Sequence, residues 1–318
     1  MHTASLADKP FIIFTPKKWD GSAGVYALHA LGNNLLKLGC DVYYIFYDIA
    51  GHPPVTDEQE ADYFYPNHSH NKTAWQERRG RLPSLQRAIV VYPESIPENP
   101  LNAVNVVRYV MNYPEKNMYP MRPGPDDFFL TYFKEYYPIS HFELPILRLH
   151  EELLKRVDGG PKESRDINCT YIGKGVKIPG AYFLPETVPI LRDVPSTKSE
   201  LFDMLSRTNY FFSWDPMTAL NAEALVCGAL PVIIRTEPYF SDQLPIYSRL
   251  GPMPHARITF DAYTAPKIVF DQALYPEQRR VFIENFLILH NQELQLTRDF
   301  LSSCSSYFSG KKFKTAAS

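Results

Sequence analysis

At 318 residues, the chain is long enough for two ordinary domains, each with its own buried core. Hydrophobic residues make up 45% of the sequence and the formal net charge is −2, so we expect a folded protein without a nucleic-acid partner, because nucleic-acid binders normally carry a basic excess. No run of about 18 apolar residues occurs, and no membrane-spanning helix is therefore predicted.

The first half of the sequence alternates predicted strands and helices. Residues 10–16 form an apolar, β-rich run, and apolar residues then recur on one helical face until Gly39. Residues 40–47 predict the next strand, which gives a βαβ unit with parallel strands. Residues 49–84 show no periodicity and predict a long loop or a small insertion. Further strands are predicted at 87–95, 105–114 and 128–133.

A second alternation follows a predicted linker. Residues 151–166 contain Gly-Gly-Pro and a charge cluster, which are typical of interdomain segments. From Pro276 to about Phe308, an amphipathic stretch predicts one or two long helices, followed by a basic tail. Between them, the pattern predicts helices at 196–206 and 218–227 and strands at 167–173, 187–192, 209–213 and 230–234. The sequence therefore predicts an α/β protein with two halves of the same architecture.

The amino terminus and the cysteines indicate the cellular compartment. The first ten residues lack the basic start and apolar run of a signal peptide, so we expect a cytoplasmic protein. No C-x-x-C pair occurs, and we expect buried, reduced thiols at Cys40, Cys169, Cys227 and Cys304.

The loop after the first predicted strand is one candidate ligand site. Gly21 and Gly24 precede the first helix, where glycines let the backbone approach a ligand and the helix N-terminus can face an anion. The G-x-G-x-x-G fingerprint is not satisfied, and a flexible turn into the helix is the alternative interpretation.

The second candidate site precedes the helix predicted at 218–227. Asp215 or Thr218 can cap this helix, whose first N–H groups lie at the carboxyl edge of the predicted sheet. Glu223 lies inside the helix among apolar residues. An unpaired buried carboxylate is costly, so Glu223 either reaches a polar ligand or forms an ion pair. The candidate partners for such a pair are Lys174, Lys177 and Arg192.

The segment from Asp215 to Ile234 resembles a known enzyme family. Its Asp-x7-Glu spacing and the continuation ALVCGALPVII are similar to the E-x7-E helix of nucleotide-sugar-dependent glycosyltransferases of the GT-B fold, and most of all to bacterial transferases that build surface polysaccharides. The resemblance implies two Rossmann-like domains facing across a cleft. It assigns an acceptor domain to 1–165, a nucleotide-sugar donor domain to 166–275, and a helical segment that packs back on the first domain to 276–318.

The resemblance also implies roles for the candidate residues on the donor side. Glu223 is expected to hold the ribose hydroxyls of the nucleotide. Asp215, one methylene shorter than the usual Glu, is expected near the donor sugar as a catalytic residue, and Lys174 is expected to neutralise the diphosphate. Further donor contacts are implied for Thr218, Met217, Ala219, Lys177, Arg192, Gly21 and Gly24.

Transfer of a sugar from a nucleotide diphosphate develops negative charge on the leaving group, which N–H dipoles and a lysine can stabilise without a metal. The sequence has no D-x-D motif, and His68 and His70 form an H-x-H pair without a third ligand. We therefore predict metal-independent transfer and no cofactor beyond the sugar nucleotide. The E-x7-E resemblance favours retention of configuration over inversion.

The expected acceptor is a glycan or a lipid-linked glycan, with weak peripheral contact between the basic tail and the inner face of the membrane. For an inverting reaction, Asp20 is the candidate general base, although a turn role beside Gly21 is the alternative. The candidate acceptor contacts are His29, Tyr109 and Asn112, and packing is the alternative role for His29.

Two other functions stay open from the sequence. The Rossmann-like first half, with Asp48 just after the second predicted strand, is also typical of an NAD(P)-dependent oxidoreductase. The third candidate is a module that binds a nucleotide sugar without turning it over.

Overall fold

The chain divides into two compact units, which are Met1–Ile146 with Asn291–Ser318, and Leu147–His290. The domain boundaries expected from the sequence, after residues 165 and 275, differ from the boundaries of these two units. The computed structural model of the protein describes residues 9–16, 22–47, 83–114, 121–147, 151–158, 165–173, 181–191, 194–215, 218–234, 246–247, 251–252, 256–259, 267–269 and 273–310. The insertion or loop predicted at 49–84 lies almost wholly outside these residues.

The first unit contains a parallel sheet. Its strands are β1 (Phe11–Pro16), β2 (Val42–Tyr47), β3 (Ile89–Pro93), β4 (Asn105–Val110), β5 (Phe128–Thr131) and β6 (Phe142–Glu143). They lie in the order β2-β1-β3-β4-β5-β6, and every neighbouring pair is parallel. All five strands predicted in this half are confirmed. Strand β6 was not predicted, because two residues give no periodicity to detect.

The first helix, α1 (Ala23–Lys37), begins before Gly24, earlier than the sequence predicts, and ends ahead of Gly39, as predicted. The Ser22 hydroxyl accepts a hydrogen bond from the Val25 N–H, which satisfies one donor of the first turn. Gly39 follows the helix with φ +84°, a conformation that glycine adopts without steric cost. The apolar face of α1 packs on one face of the sheet, in the same core as Phe300 and Phe308.

A buried ion pair connects β4 to the segment before β5. Arg108 donates from Nε to Asp127 Oδ2 at 2.7 Å, and from Nη1 to the carbonyl oxygens of Ile96 at 3.0 Å and Glu98 at 2.9 Å. Its guanidinium carbon lies 5.1 Å from the ring centroid of Tyr92. Removal of either charged partner would leave the other charge buried without it, which is costly.

The second unit contains a second sheet that is mostly parallel. Its strands are β7 (Ile167–Tyr171), β8 (Val188–Ile190), β9 (Thr208–Ser213) and β10 (Leu230–Ile234), followed by a separate antiparallel pair, β11 (Ile246–Tyr247) with β12 (Gly251–Pro252), and by β13 (Ala256–Thr259) and β14 (Lys267–Val269). The order in the sheet is β14-β13-β10-β9-β7-β8, and only the β13 and β14 pair is antiparallel. The four strands predicted between 167 and 234 are confirmed.

The remaining described helices are α2 (Glu151–Asp158), α3 (Lys198–Ser206), α4 (Ala219–Val226) and α5 (Tyr275–Gly310). Helix α2 corrects the prediction of a linker at 151–166. Its Arg156 side chain donates to Asp203 Oδ1 at 2.6 Å and to Ser206 Oγ at 3.0 Å, both on α3, while Leu153 is buried. The Gly-Gly-Pro that indicated a linker comes after the helix ends.

Helix α5 is a single helix shared by the two units, with residues up to His290 in the second and from Asn291 in the first. In the second unit, Arg279 donates to the carbonyl oxygens of Leu225 and Val226, each at 2.9 Å. In the first unit, Phe300 is fully buried against Phe11 and Phe128.

All four cysteines are buried and free, as the sequence predicts. Among the helices that the structure describes, none is both long enough and apolar enough to cross a bilayer. The basic tail lies outside the described residues.

Candidate functional site

The candidate site lies at the carboxyl edge of the second sheet, where β7 and β9 end. Carboxyl ends of neighbouring parallel strands meet at one edge of a sheet, so the residues that follow them come together. The Trp214 N–H donates to the Tyr171 carbonyl oxygen at 3.0 Å, which aligns the two chain segments as they leave the sheet. A Cβ atom built on Gly173 would lie 3.0 Å from Asp215 Oδ2. Gly173 and the Asp215 carboxylate are therefore neighbours.

Hydrogen bonds to nearby residues hold the backbone of Asp215. Its N–H donates to Ser213 Oγ at 3.2 Å, and the same hydroxyl donates to the Asp215 carbonyl oxygen at 2.9 Å. The Asn221 amide of α4 donates to this carbonyl oxygen at 3.1 Å. Asp215 is only 4% exposed, so its side chain is buried at the end of the sheet and does not extend into solvent.

Thr218 is the N-cap of α4. Its hydroxyl accepts from the Leu220 N–H at 3.3 Å, and Ala219 is the first residue of the helix. Thr218 and not Asp215 therefore supplies the cap that the sequence left open between them. At the other end of α4, the Arg279 guanidinium lies on the last carbonyl oxygens, where a cation is favourable to the helix dipole.

Glu223 is a buried carboxylate of α4 that pairs with a lysine of α3. It is 3% exposed, and its Oε2 and Oε1 atoms lie 3.1 Å and 3.4 Å from Lys198 Nζ. The structure thus supports an ion pair of Glu223, but with a partner that was not among the predicted ones. Lys198 is the first residue of α3, and the only signal for it in the sequence is its place at the start of a predicted helix.

The thiol of Cys227 lies one turn after Glu223, and its pKa is affected by that carboxylate. Burial raises the pKa of Cys227 to about 12, and the charge of Glu223 contributes to this increase. The thiol is therefore protonated at neutral pH.

Several predicted donor-side residues lie outside the described part of the chain. For them the donor role stays a prediction, and nothing is added to it by the geometry above. They are Lys174, Lys177, Arg192, Met217 and Gly21, together with Asp20 of the acceptor side and Asp48 of the oxidoreductase alternative.

The structure places Gly24 and His29 within α1. Gly24 lies within α1 and not in the loop before it, and a Cβ atom there would make only ordinary contact with Met111. His29 is buried on the same helix. Its Nε2 lies 3.1 Å from the Pro16 carbonyl oxygen, and its ring stacks on that of Tyr44 at a centroid distance of 5.2 Å. Packing therefore explains His29 without an acceptor.

Tyr109 is not an acceptor contact, which corrects the prediction. Its side chain is fully buried, its hydroxyl donates to the Leu144 carbonyl oxygen at 2.6 Å, and burial raises its pKa well above the usual value. Both faces of an inner parallel strand are buried, so a polar residue near its end is not necessarily exposed. Asn112, just after β4, is half-buried and stays a candidate.

Glu94 is a carboxylate at the carboxyl edge of the first sheet that the sequence analysis did not single out. It follows β3 directly and is 7% exposed. Its Oε2 atom accepts from the Met111 N–H at 3.0 Å, next to the end of β4. The signal in the sequence is a Glu directly after a buried strand, which parallels Asp215 after β9.

Within the described residues, no group of three or more His, Cys, Asp or Glu side chains is arranged to hold a metal ion. Metal independence itself stays a prediction.

Comparison with known proteins gives only distant structural similarities. No family model matches the chain, and no curated protein matches it. Among solved structures, an alpha-glucosyltransferase in complex with UDP is 12% identical, covers 97% of this chain and 100% of its own, and has a TM-score of 0.35. An alpha-glucosyltransferase in complex with UDP and a 13-mer DNA containing a HMU base is 13% identical, covers 96% of this chain and 98% of its own, and has a TM-score of 0.37.

A further similar structure is an alpha-glucosyltransferase in complex with UDP and a 13-mer DNA containing a central A:G mismatch. It is 12% identical, covers 97% of this chain and 100% of its own, and has a TM-score of 0.38. Structures that hold DNA conflict with the expectation that this chain has no nucleic-acid partner, and that expectation is withdrawn. Its basis was the near-zero net charge, which averages over the whole surface and does not exclude a local basic face.

Proposed function

We propose that the chain is a glycosyltransferase that takes a sugar from a nucleotide-diphosphate donor bound at the carboxyl edge of the second sheet. The observation that carries the proposal is the pair of buried carboxylates Asp215 and Glu223, placed before and within one helix whose amino end lies at that edge. Both carboxylates are buried, and Glu223 is paired with Lys198. Buried ionisable groups are frequent at functional sites, and a polar ligand gives these two carboxylates a function.

Each part of the donor has a matching group in this arrangement. Glu223 accepts hydrogen bonds from the ribose hydroxyls, and the Thr218 hydroxyl with the first N–H groups of α4 faces the diphosphate. Asp215 lies on the side toward Gly173, where the donor sugar is expected. The E-x7-E type of site, with diphosphate contacts from Lys174, Lys177, Arg192 and Met217, is part of the proposal.

The proposed reaction breaks one bond to C1 of the donor sugar and forms another. The bond between C1 of the sugar and the β-phosphate oxygen breaks, and its electron pair stays on that oxygen. A hydroxyl oxygen of the acceptor bonds to C1, and its proton leaves to a base or to the departing phosphate. The developing negative charge is stabilised by the amino end of α4, which needs no reorganisation as the bond breaks.

A sugar-nucleotide screen tests the proposal. Purified protein is incubated with UDP-, GDP-, ADP- and CMP-activated sugars and with glycan, lipid-linked and hydroxymethylated DNA acceptors, and the release of nucleotide is measured with and without EDTA. We expect release with one donor class, insensitivity to EDTA, and at least about a tenfold weaker binding of that nucleotide by Glu223→Ala.

Glu152→Ala is the matched control, because Glu152 is also a helical Glu paired with a lysine but is exposed. No release from any donor, or equal nucleotide binding by wild type and Glu223→Ala, overturns the proposal. Activity that EDTA abolishes and Mn²⁺ restores contradicts metal independence alone.

A further inference from the structure

We infer that Lys198 is a positioning residue of the nucleotide site, whose ammonium group holds the Glu223 carboxylate in the orientation that accepts the hydroxyl groups of a ribonucleotide. The inference rests on the proposed function, because it assigns a partner to the carboxylate proposed to bind the ribose. It predicts that Lys198 sets the preference for ribose over deoxyribose without itself being a catalytic residue.

The Lys198 ammonium group contacts both oxygens of the Glu223 carboxylate. Lys198 Nζ lies 3.1 Å from one carboxylate oxygen of Glu223 and 3.4 Å from the other, so the ammonium group spans both. An ionised carboxylate has about four lone-pair sites, and a single ammonium group occupies only part of them. The lysine therefore fixes the plane of the carboxylate that is proposed to accept a pair of neighbouring hydroxyl groups.

The position of Lys198 is itself determined by the start of α3. The Thr197 hydroxyl accepts from the Glu200 N–H at 3.2 Å, and the Glu200 carboxylate accepts from the Thr197 N–H at 3.1 Å. This capping box fixes the first turn, and Lys198 follows the cap directly. Its side chain is only 22% exposed, and its ammonium group lies 5.7 Å from the ring centroid of Phe202. The lysine side chain is thus directed toward α4 and does not extend into solvent.

The charges around Glu223 come from several elements. Burial, and then the charge of Glu223, raises the pKa of Cys227, which follows α4 directly, whereas Arg156 of α2 and Arg279 of α5 lower it. Both arginines are committed to other acceptors, Arg156 to Asp203 and Arg279 to two carbonyl oxygens. Lys198 is in direct contact with the Glu223 carboxylate, so its removal is expected to change the orientation of that carboxylate first.

The test is discrimination between ribonucleotides and deoxyribonucleotides. Dissociation constants are measured by calorimetry for UDP, GDP and ADP and for the 2′-deoxy form of each, with wild type, Lys198→Met, Lys198→Arg and Glu223→Gln. The matched control is Lys155→Met, which removes an exposed lysine that is also paired with a helical Glu. We expect wild type to prefer at least one ribonucleotide by about tenfold, since a charged acceptor loses one hydrogen bond in the deoxy form.

Lys198→Met is expected to reduce this preference to less than about threefold, Lys198→Arg to restore most of it, and Lys155→Met to keep it in full. Far-UV circular dichroism verifies that each variant is folded. If Lys198→Met alone is unfolded, the binding measurement uses a Lys198→Met/Glu223→Gln variant, in which both charges are absent. If the pair acts as a unit, this double variant has the same preference as Glu223→Gln.

The outcomes separate the inference from the proposed function. If Lys198→Met weakens the binding of ribonucleotides and deoxyribonucleotides equally, Lys198 has a merely structural role and the inference is overturned. If Glu223→Gln loses the preference while Lys198→Met keeps it, the ribose site stands and the inference falls alone. If wild type binds none of the six nucleotides, both fall together.

Discussion

Substitution of Gly173 by alanine tests whether this glycine is required by the close approach of the Tyr171 ring and the Asp215 carboxylate. Gly173 has φ +52°, and a left-handed conformation costs a residue with a Cβ atom roughly 1–2 kcal/mol. The new Cβ atom would also clash with the Tyr171 ring, at 2.8 Å from Cζ, and would lie 3.0 Å from Asp215 Oδ2. Overpacking of this kind costs about 1–3 kcal/mol. We therefore expect a total loss of about 2–5 kcal/mol in the free energy of unfolding.

Gly39→Ala is the matched control for backbone strain. Gly39 has φ +84°, but a Cβ atom there meets nothing within 4 Å, so its substitution is expected to cost only the strain of about 1–2 kcal/mol. The two variants are compared by urea unfolding followed by circular dichroism, and by turnover, which only Gly173→Ala is expected to reduce. Tyr171→Val in the Gly173→Ala background relieves the clash with the ring and is expected to recover part of the stability. Equal losses in both alanine variants would refute the crowding of Gly173 by the Tyr171 ring and the Asp215 carboxylate.

Three further predictions concern a buried pair, a thiol and the donor site. Asp127→Asn is expected to cost about 3–5 kcal/mol in urea unfolding because Arg108 keeps its buried charge, and a loss below about 1 kcal/mol would contradict the pair's importance. The pKa of Cys227 is raised from 9.0 to about 12, so its contribution to stability is complete below pH 9 and lost as pH rises toward 12. Cys227→Ala should flatten stability measured across this range, and an unchanged pH profile would speak against it. Asp215→Asn is expected to slow turnover more than it weakens nucleotide binding, and steady-state kinetics with calorimetry show which is affected.

Local patterns were sufficient to predict most elements of the fold. Strand β10 is a continuous apolar run bounded by Gly-Ala and by a charged residue, and helix α4 begins where a threonine can cap it. Such signals depend on neighbours in the chain, and the structure follows them. Helix α2 was missed because the strong Gly-Gly-Pro signal after it dominated the interpretation of its charged, short sequence.

The contacts of the candidate site depend on positions far apart in the sequence. The Glu223 carboxylate meets Lys198, 25 positions earlier, because α3 and α4 pack side by side. The Tyr109 hydroxyl donates to the Leu144 carbonyl oxygen, 35 positions later. Neither distance leaves a periodic pattern in the chain, so the sequence predicted a need for a partner at Glu223 without predicting which residue supplies it.

The long final helix has a consequence for biosynthesis. Phe300, Cys304 and Phe308 fill the core around β1, yet a ribosome translates them after every strand of the first sheet. A nascent chain that has emerged only to the end of the first sheet therefore lacks part of the apolar surface that covers it. The core of the first sheet therefore closes only after the second unit has been synthesised.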